Sequence, residues 1–103
     1  MLHNGLAWIR ASSLWEGTVI IVTYDENGGF WDHVPPPKGD RWGPGTRIPA
    51  VIIAPFAKRG YVDHTMYDTT SIIKLITRRF DLQPLPGVRP DAGDLTAAFD
   101  FGP

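Results

Sequence analysis

Apolar residues at Leu2, Leu6, Ile9 and Ala11 recur with a loose helical period while Arg10 falls on another face, which predicts a helix over residues 5–14. Glu16-Gly17 ends it. Thr18-Val19-Ile20-Ile21-Val22-Thr23 then runs as an unbroken β-rich stretch without polar alternation. Such a run describes a strand buried on both faces, as in parallel α/β sheets. Ala50-Val51-Ile52-Ile53-Ala54 has the same character, with Pro49 at its entrance, where a missing N–H is tolerated.

From Asp68 the helical period returns, with Ile72, Ile73, Leu75, Ile76 and Phe80 along one side. Asp68 is placed to cap this second helix, and Arg78-Arg79 fall in its last turn, where cations suit the helix dipole. Pro84, Pro86 and Pro90 impose an extended tail, and a short helix is expected near Asp94–Phe99. Residues 25–48 join the strands with paired glycines, Pro35-Pro36-Pro37 and Pro44, and no periodicity. Connections this long inside small domains are often functional. No internal repeat or low-complexity block interrupts the chain.

These elements impose a geometric requirement. Strands buried on both faces need helices on both sides and neighbours along both edges. Two strands with two or three helices meet it only if short strands lie in the loop and tail, or if the chain is part of a larger sheet. Unpaired apolar edges would otherwise invite association.

A length of 103 residues suits one compact domain with a radius of gyration of about 13 Å, and excludes a multidomain reading. With 43% hydrophobic residues, 20% charged residues and a net charge of −1, the chain is neither disordered nor strongly charged, which argues against nucleic acid as a partner. No apolar run approaches the ~18 residues needed for a transmembrane segment. Met1-Leu2-His3-Asn4 lacks the basic start and long apolar stretch of a signal peptide. The absence of cysteine removes disulfides, thiolate nucleophiles and sulfur-ligated zinc, so any metal would use oxygen or imidazole ligands. By contrast 10 Pro, 11 Gly and 4 Trp put weight on the loops.

The chemistry concentrates in Tyr24-Asp25-Glu26-Asn27-Gly28-Gly29-Phe30-Trp31-Asp32-His33-Val34-Pro35, which begins where the first strand stops. In open α/β sheets, ligand sites lie beyond the carboxyl ends of strands. Asp25 and Glu26 supply hard anionic oxygens suited to Mg²⁺, Ca²⁺ or Mn²⁺ and acceptable to Zn²⁺ or iron. Gly28 and Gly29 permit positive φ, which can bring Asp32 or His33 back towards the carboxylates. Equally, Asn27-Gly28 reads as a tight turn and the acids as solvated loop residues. An EF-hand is excluded, because its sixth position would be Phe30 and its twelfth Pro36. His-Glu-x-x-His and the phosphate-binding G-x-x-x-x-G-K-[ST] loop are absent.

Ser12, Ser13 and Ser71 are the only serines, and none sits in a G-x-S-x-G elbow. Ser71 suits hydrogen bonding at a helix start. His3 lies near the terminus. His64, in Val62-Asp63-His64-Thr65, follows the second strand and is either an ordinary loop histidine or a metal or phosphate contact. It lies beyond the same type of strand end as Asp25. Lys58 and Arg59 read as a solvated turn, and Trp31 and Trp42 as loop packing or as a lipid or sugar surface built with the prolines.

Thr23 to Pro37, TYDENGGFWDHVPPP, resembles the signature of the phosphoesterase family that contains bacterial phospholipases C and acid phosphatases, within the alkaline phosphatase-like superfamily. Similarity continues through Gly43–Ala50, Ala54-Pro55-Phe56, Tyr61–Ile73 (YVDHTMYDTTSII) and the closing Ala98-Phe99-Asp100-Phe101. Asp68-Thr69-Thr70 and W-G-P-G-T-R look closer to the acid phosphatase branch.

The resemblance implies an α/β fold in which residues 1–103 form a single C-terminal segment of an alkaline phosphatase-like sheet with flanking helices, incomplete alone. It implies a hydrolase of phosphate monoesters or phospholipids, with Asp25 and Glu26 holding a divalent metal ion. His33 would be catalytic and adjacent to the substrate phosphate, with His64 as a further substrate contact. Family members are several times longer, and their N-terminal portion carries more metal ligands and a serine or threonine nucleophile. The expected partner is therefore that missing half or another copy of this chain, and little hydrolysis is expected from the segment alone. Such proteins are often secreted or periplasmic. The alternative is a non-catalytic interaction module that self-associates through unpaired strand edges.

Overall fold

A computed structural model describes residues 2–102, so Met1 of the opening tetrad and Pro103 lie outside it. Helix α1 spans Leu2–Ala11, a single 3-10 turn covers Trp15–Gly17, strands β1 and β2 span Ile20–Thr23 and Ala50–Ile53, and helix α2 spans Thr70–Arg79. A second 3-10 turn at Thr96–Ala98 falls within the short helix expected near Asp94–Phe99.

Helix α1 starts and stops earlier than the apolar period predicts. Both the backbone N–H and the hydroxyl of Ser12 donate to the Ile9 carbonyl, which closes the last turn before Ser13. The face lying beside Ile53 of β2 consists of His3, Leu6, Ala7 and Arg10, at spacings of three and four. Arg10 thus joins the inward face rather than opposing it. Its guanidinium ends 5.8 Å from the Trp15 ring, so its aliphatic stem can cover apolar surface.

The two strands pair antiparallel, with Ile20 opposite Ile53 and Thr23 opposite Ala50. This corrects the parallel, doubly buried reading, since β1 is half-buried throughout and the first two residues of β2 are exposed. An unbroken apolar run reports that both faces tolerate burial. Actual burial needs layers on both sides, and two short helices do not supply them. Pairing continues outside the strands through isolated bridges at Asp40–Gly43 and Ala57–Phe99.

Antiparallel pairing also separates two loops that the strand ends alone would group. Asp25 leaves the sheet where Pro49 enters it, whereas the chain leading to His64 departs from the opposite end, beside Ile20.

The buried apolar residues are Ala92, Leu95, Ala98 and Phe99, all in the last part of the chain. Phe56, Phe99 and Phe101 pack with ring centroids 5.4–5.6 Å apart. The Lys58 N–H donates to Ala98 and the Asp100 N–H to Phe56, at 2.9 and 2.8 Å, fastening the tail to the chain leaving β2. Leu95 adopts a left-handed backbone (φ 69°), which costs about 1–2 kcal/mol for an L-residue. Burying its side chain offsets that cost.

Helix α2 docks on this tail through polar residues. Lys74 donates to the carbonyls of Pro90 and Ala92, and Arg78 to Asp94 at 2.6 Å. Ile76 and Phe80, expected inside, are exposed. The tail offers carbonyls with no strand partner, and burying these would be costly without a donor. Lys74 and Arg78, four residues apart on one face, supply the donors.

At the start of α2 the Asp68 carboxylate accepts from the N–H and hydroxyl of Thr70, while Ser71 Oγ accepts from the Asp68 N–H. Asp68 thus serves the helix start as expected, but from one residue before the N-cap Thr69, whose own side chain makes no capping bond, and Ser71 is fully buried there. Arg89 then bridges two acids, meeting Asp68 at 2.8 Å and Asp40 at 3.2 Å.

The radius of gyration is 15.1 Å, above the roughly 13 Å of a compact chain this long. The long loop between the strands and the small core account for the excess. Among the described residues no helix is long and apolar enough to cross a membrane.

Candidate functional site

Residues 24–34, leaving β1, and residues 43–49, entering β2, meet at one end of the sheet. Three side-chain hydrogen bonds clasp them. Thr23 Oγ1 donates to the Pro49 carbonyl at 2.8 Å, Asn27 Nδ2 to Thr46 Oγ1 at 2.8 Å, and Arg47 Nε to Asp32 Oδ2 at 2.5 Å.

Within the first loop, Gly28 and Gly29 take φ of 58° and 88°. That pair of positive values matches the two central residues of a type I′ turn and is available to glycine at little cost. The turn closes with the Phe30 N–H on the Asn27 carbonyl, and Asn27 Oδ1 also accepts from the Gly29 N–H. The tight-turn reading of Asn27-Gly28 therefore holds. It is compatible with a site, because the turn brings Phe30, Trp31 and Asp32 back beside Tyr24.

An open cleft of about 460 Å³ results. The first loop lines it with Tyr24, Phe30, Trp31 and Asp32, and the second with Arg47, Ile48 and Pro49. Phe30 and Trp31 are 85% and 68% exposed, far more than residues that merely fill loop gaps.

Asp25 and Glu26 follow the cleft-lining Tyr24 in sequence without lining the cleft themselves, and both are exposed. Asp25 Oδ1 accepts from the Glu26 N–H at 3.0 Å, and Glu26 Oε1 curls back over Gly28. Two adjacent carboxylates fit a hard divalent cation that retains waters and takes its remaining ligands from a phosphate. Among the described residues no group of three or more His, Cys, Asp or Glu side chains is arranged to hold a metal ion.

His33 is exposed on the same loop but does not line the cleft, and His64 is exposed in the loop that departs from the other end of the sheet. The acid pair and His33 thus sit on the loop that lines the cleft, next in sequence to Tyr24 and Asp32, whereas His64 lies in a different loop.

Sequence reasoning turned Asp32 towards the carboxylates and passed over its partner, Arg47. The Asp32 carboxyl lies below its ordinary range, because its Oδ1 accepts the Val34 N–H and its Oδ2 takes the Arg47 guanidinium. Its position two residues before Val34 was the available sign of an Asx turn. Arg47 stands 15 residues away, and no local pattern joins the two.

The site is thus an acid pair beside an aromatic cleft with one oriented guanidinium, a set suited to anionic esters. The chain belongs to the phosphoesterase family, whose model matches residues 1–83. Its similarity to phospholipase C B of Mycobacterium tuberculosis is 37% identity over 86% of this chain and 22% of that protein. Non-hemolytic phospholipase C of Pseudomonas aeruginosa is 34% identical over 85% of this chain and 18% of its own length. Non-specific phospholipase C6 of Arabidopsis thaliana is 31% identical over 72% and 19%. The chain therefore spans about a fifth of the length of these relatives.

Proposed function

We propose that this chain is the C-terminal, metal-holding segment of an alkaline phosphatase-like hydrolase of the phospholipase C or acid phosphatase type. In this reading Asp25 and Glu26 hold a divalent metal ion, and His33, one residue beyond the cleft-lining Asp32, approaches the phosphate of a monoester or phospholipid. The observation that carries it is the acid pair itself: two exposed, adjacent carboxylates on a clasped loop beside a cleft, in a chain whose relatives are named phospholipases C.

The metal would neutralise charge on the phosphate. Tyr24, Phe30 and Trp31 offer apolar surface to the organic group, and the Asn27–Thr46 clasp fastens the loop that carries the acid pair. Turnover also needs a nucleophile. Ser71 is fully buried in the cap of α2 and Ser12 is bonded to Ile9, so neither suits that role. The attacking hydroxyl and the remaining metal ligands would come from the N-terminal portion of a family domain, and the chain alone would bind without turnover.

Titrating the full chain with Mn²⁺, read by electron paramagnetic resonance, tests this. One site is expected, lost in Asp25→Asn and in Glu26→Gln. Binding unchanged by both substitutions would refute it.

A second reading has its own observation. The sheet has two strands, so each keeps one unpaired edge, and Val51 of β2 is 54% exposed. Self-association through these edges would give a metal-indifferent oligomer in sedimentation, whereas the first reading expects a metal-binding monomer.

A further inference from the structure

Arg47 has a geometry that its ion pair does not use up. Its Nε donates to Asp32 Oδ2, and among the described residues neither Nη1 nor Nη2 has an acceptor. The other Asp32 oxygen accepts from the Val34 N–H at 3.0 Å, which orients the carboxylate with Oδ2 towards Nε. The guanidinium is therefore held at one corner, with its terminal nitrogens free in the wall of the cleft. A planar fork of this kind matches two oxygens of a phosphate and binds them more strongly than neutral donors would.

What surrounds the fork narrows the ligand. Tyr24, Phe30 and Trp31 line the same cleft, so the anion should carry an apolar group that can lie on the rings. Thr46, the residue before Arg47, is bonded to Asn27, the residue after Glu26. The clasp thus sets the fork and the acid pair on neighbouring stretches of backbone.

We propose that Arg47, oriented by Asp32, binds the phosphate of an ester whose apolar group rests on Tyr24, Phe30 and Trp31. This inference rests on the phosphoesterase reading and adds to it a substrate-binding residue and a ligand class. The ligand is a phosphate with an apolar substituent, supplied by a small aryl or alkyl ester or by a lipid headgroup.

The test is titration of the full chain in EDTA with inorganic phosphate, phenyl phosphate and dihexanoyl phosphatidic acid below its critical micelle concentration. Binding is read from the Trp31 indole N–H and the Arg47 Nε–H resonances in ¹H–¹⁵N spectra. At least one substituted phosphate should bind more tightly than inorganic phosphate, and which one does so identifies the source. Arg47→Gln, which keeps a donor for Asp32 but no charge, should weaken that binding at least tenfold, and Arg47→Lys should fall between.

Binding by Arg47→Gln within twofold of the parent, or no perturbation of either resonance by any ligand, would overturn the proposal. If the Gln variant loses its near-ultraviolet circular dichroism, Arg47→Lys decides: a loss of threefold or more supports the assignment, and a smaller one overturns it. Repeating the titration with Mg²⁺ on Asp25→Asn separates the two readings, since the contribution of Arg47 in EDTA does not depend on metal at the acid pair.

Discussion

The side-chain amide of Asn27 donates to Thr46 Oγ1 across 19 residues of sequence, at 2.8 Å, and this bond ties the loop carrying the acid pair to the segment entering β2. The Thr23 and Asp32 hydrogen bonds flank it, one on each side of the turn. Asn27 also shapes the turn by accepting from Gly29, so it serves two structures at once.

Thr46→Val keeps the volume and removes the acceptor, leaving a half-buried amide without its partner. Loss of one such bond costs about 0.5–1.5 kcal/mol, which urea unfolding will detect. Affinity for Mn²⁺ should fall severalfold as well, because the acid loop is no longer held. An unchanged Mn²⁺ titration would mean that the clasp has no bearing on the metal.

Gly93 lies against a ring that has little freedom to move. A Cβ there would stand 2.6 Å from Tyr67 Cε1, and the Tyr67 hydroxyl is anchored on Asp63 Oδ2 at 2.6 Å. Gly93→Ala should therefore destabilise the chain by about 1–3 kcal/mol. Gly93→Ala combined with Tyr67→Leu should recover part of that loss in a thermal melt.

Arg89 bridges Asp40 and Asp68, but the two partners are unequal. The Asp40 side chain is 49% exposed and its contacts are 3.2 and 3.3 Å, whereas Asp68 is 12% exposed, at 2.8 Å, and also caps α2. Asp40→Asn should leave stability almost unchanged, as loss of an exposed ion pair does. Asp68→Ala should cost about 1–3 kcal/mol through the lost cap and the unpaired guanidinium. Equal effects in parallel urea titrations would show that the cap contributes nothing.

Asp94 sets an acid limit. Hydrogen bonds from Thr96, and after them the Arg78 guanidinium, together lower its carboxyl to about 2 against the opposing effect of burial. The folded state thus binds this proton more weakly than the unfolded chain, whose carboxyl titrates near 3.8. The stabilisation is complete above that value and is lost as pH falls through it towards about 2. Urea midpoints measured from pH 5 to pH 2 should decline in that window, and Asp94→Asn should flatten the decline.

The elements were legible from composition over a few residues. β-branched runs marked both strands, Asn27-Gly28 marked the turn, and Asp68 with Ser71 marked the start of α2. Strand direction was not legible, because an apolar run is the same read either way and the connection of residues 24–49 has no period to show how it returns. The docking face of α2 was hidden for a different reason: Ser71, Lys74 and Arg78 form a polar stripe, and hydrophobic periodicity points away from it. Of the site, Asp25 and Glu26 were visible as adjacent acids. Arg47 was invisible, since its role depends on a partner brought near by folding, as with Arg89 and Asp40 at a separation of 49.

The buried apolar side chains Ala92, Leu95, Ala98 and Phe99 all lie after residue 83, where the match to the family ends. Trimming the chain to that boundary would keep every acid and aromatic of the cleft and discard all the buried apolar side chains found among the described residues. The part that carries the family's chemical signature would then have to borrow its solidity from whatever polypeptide adjoins it.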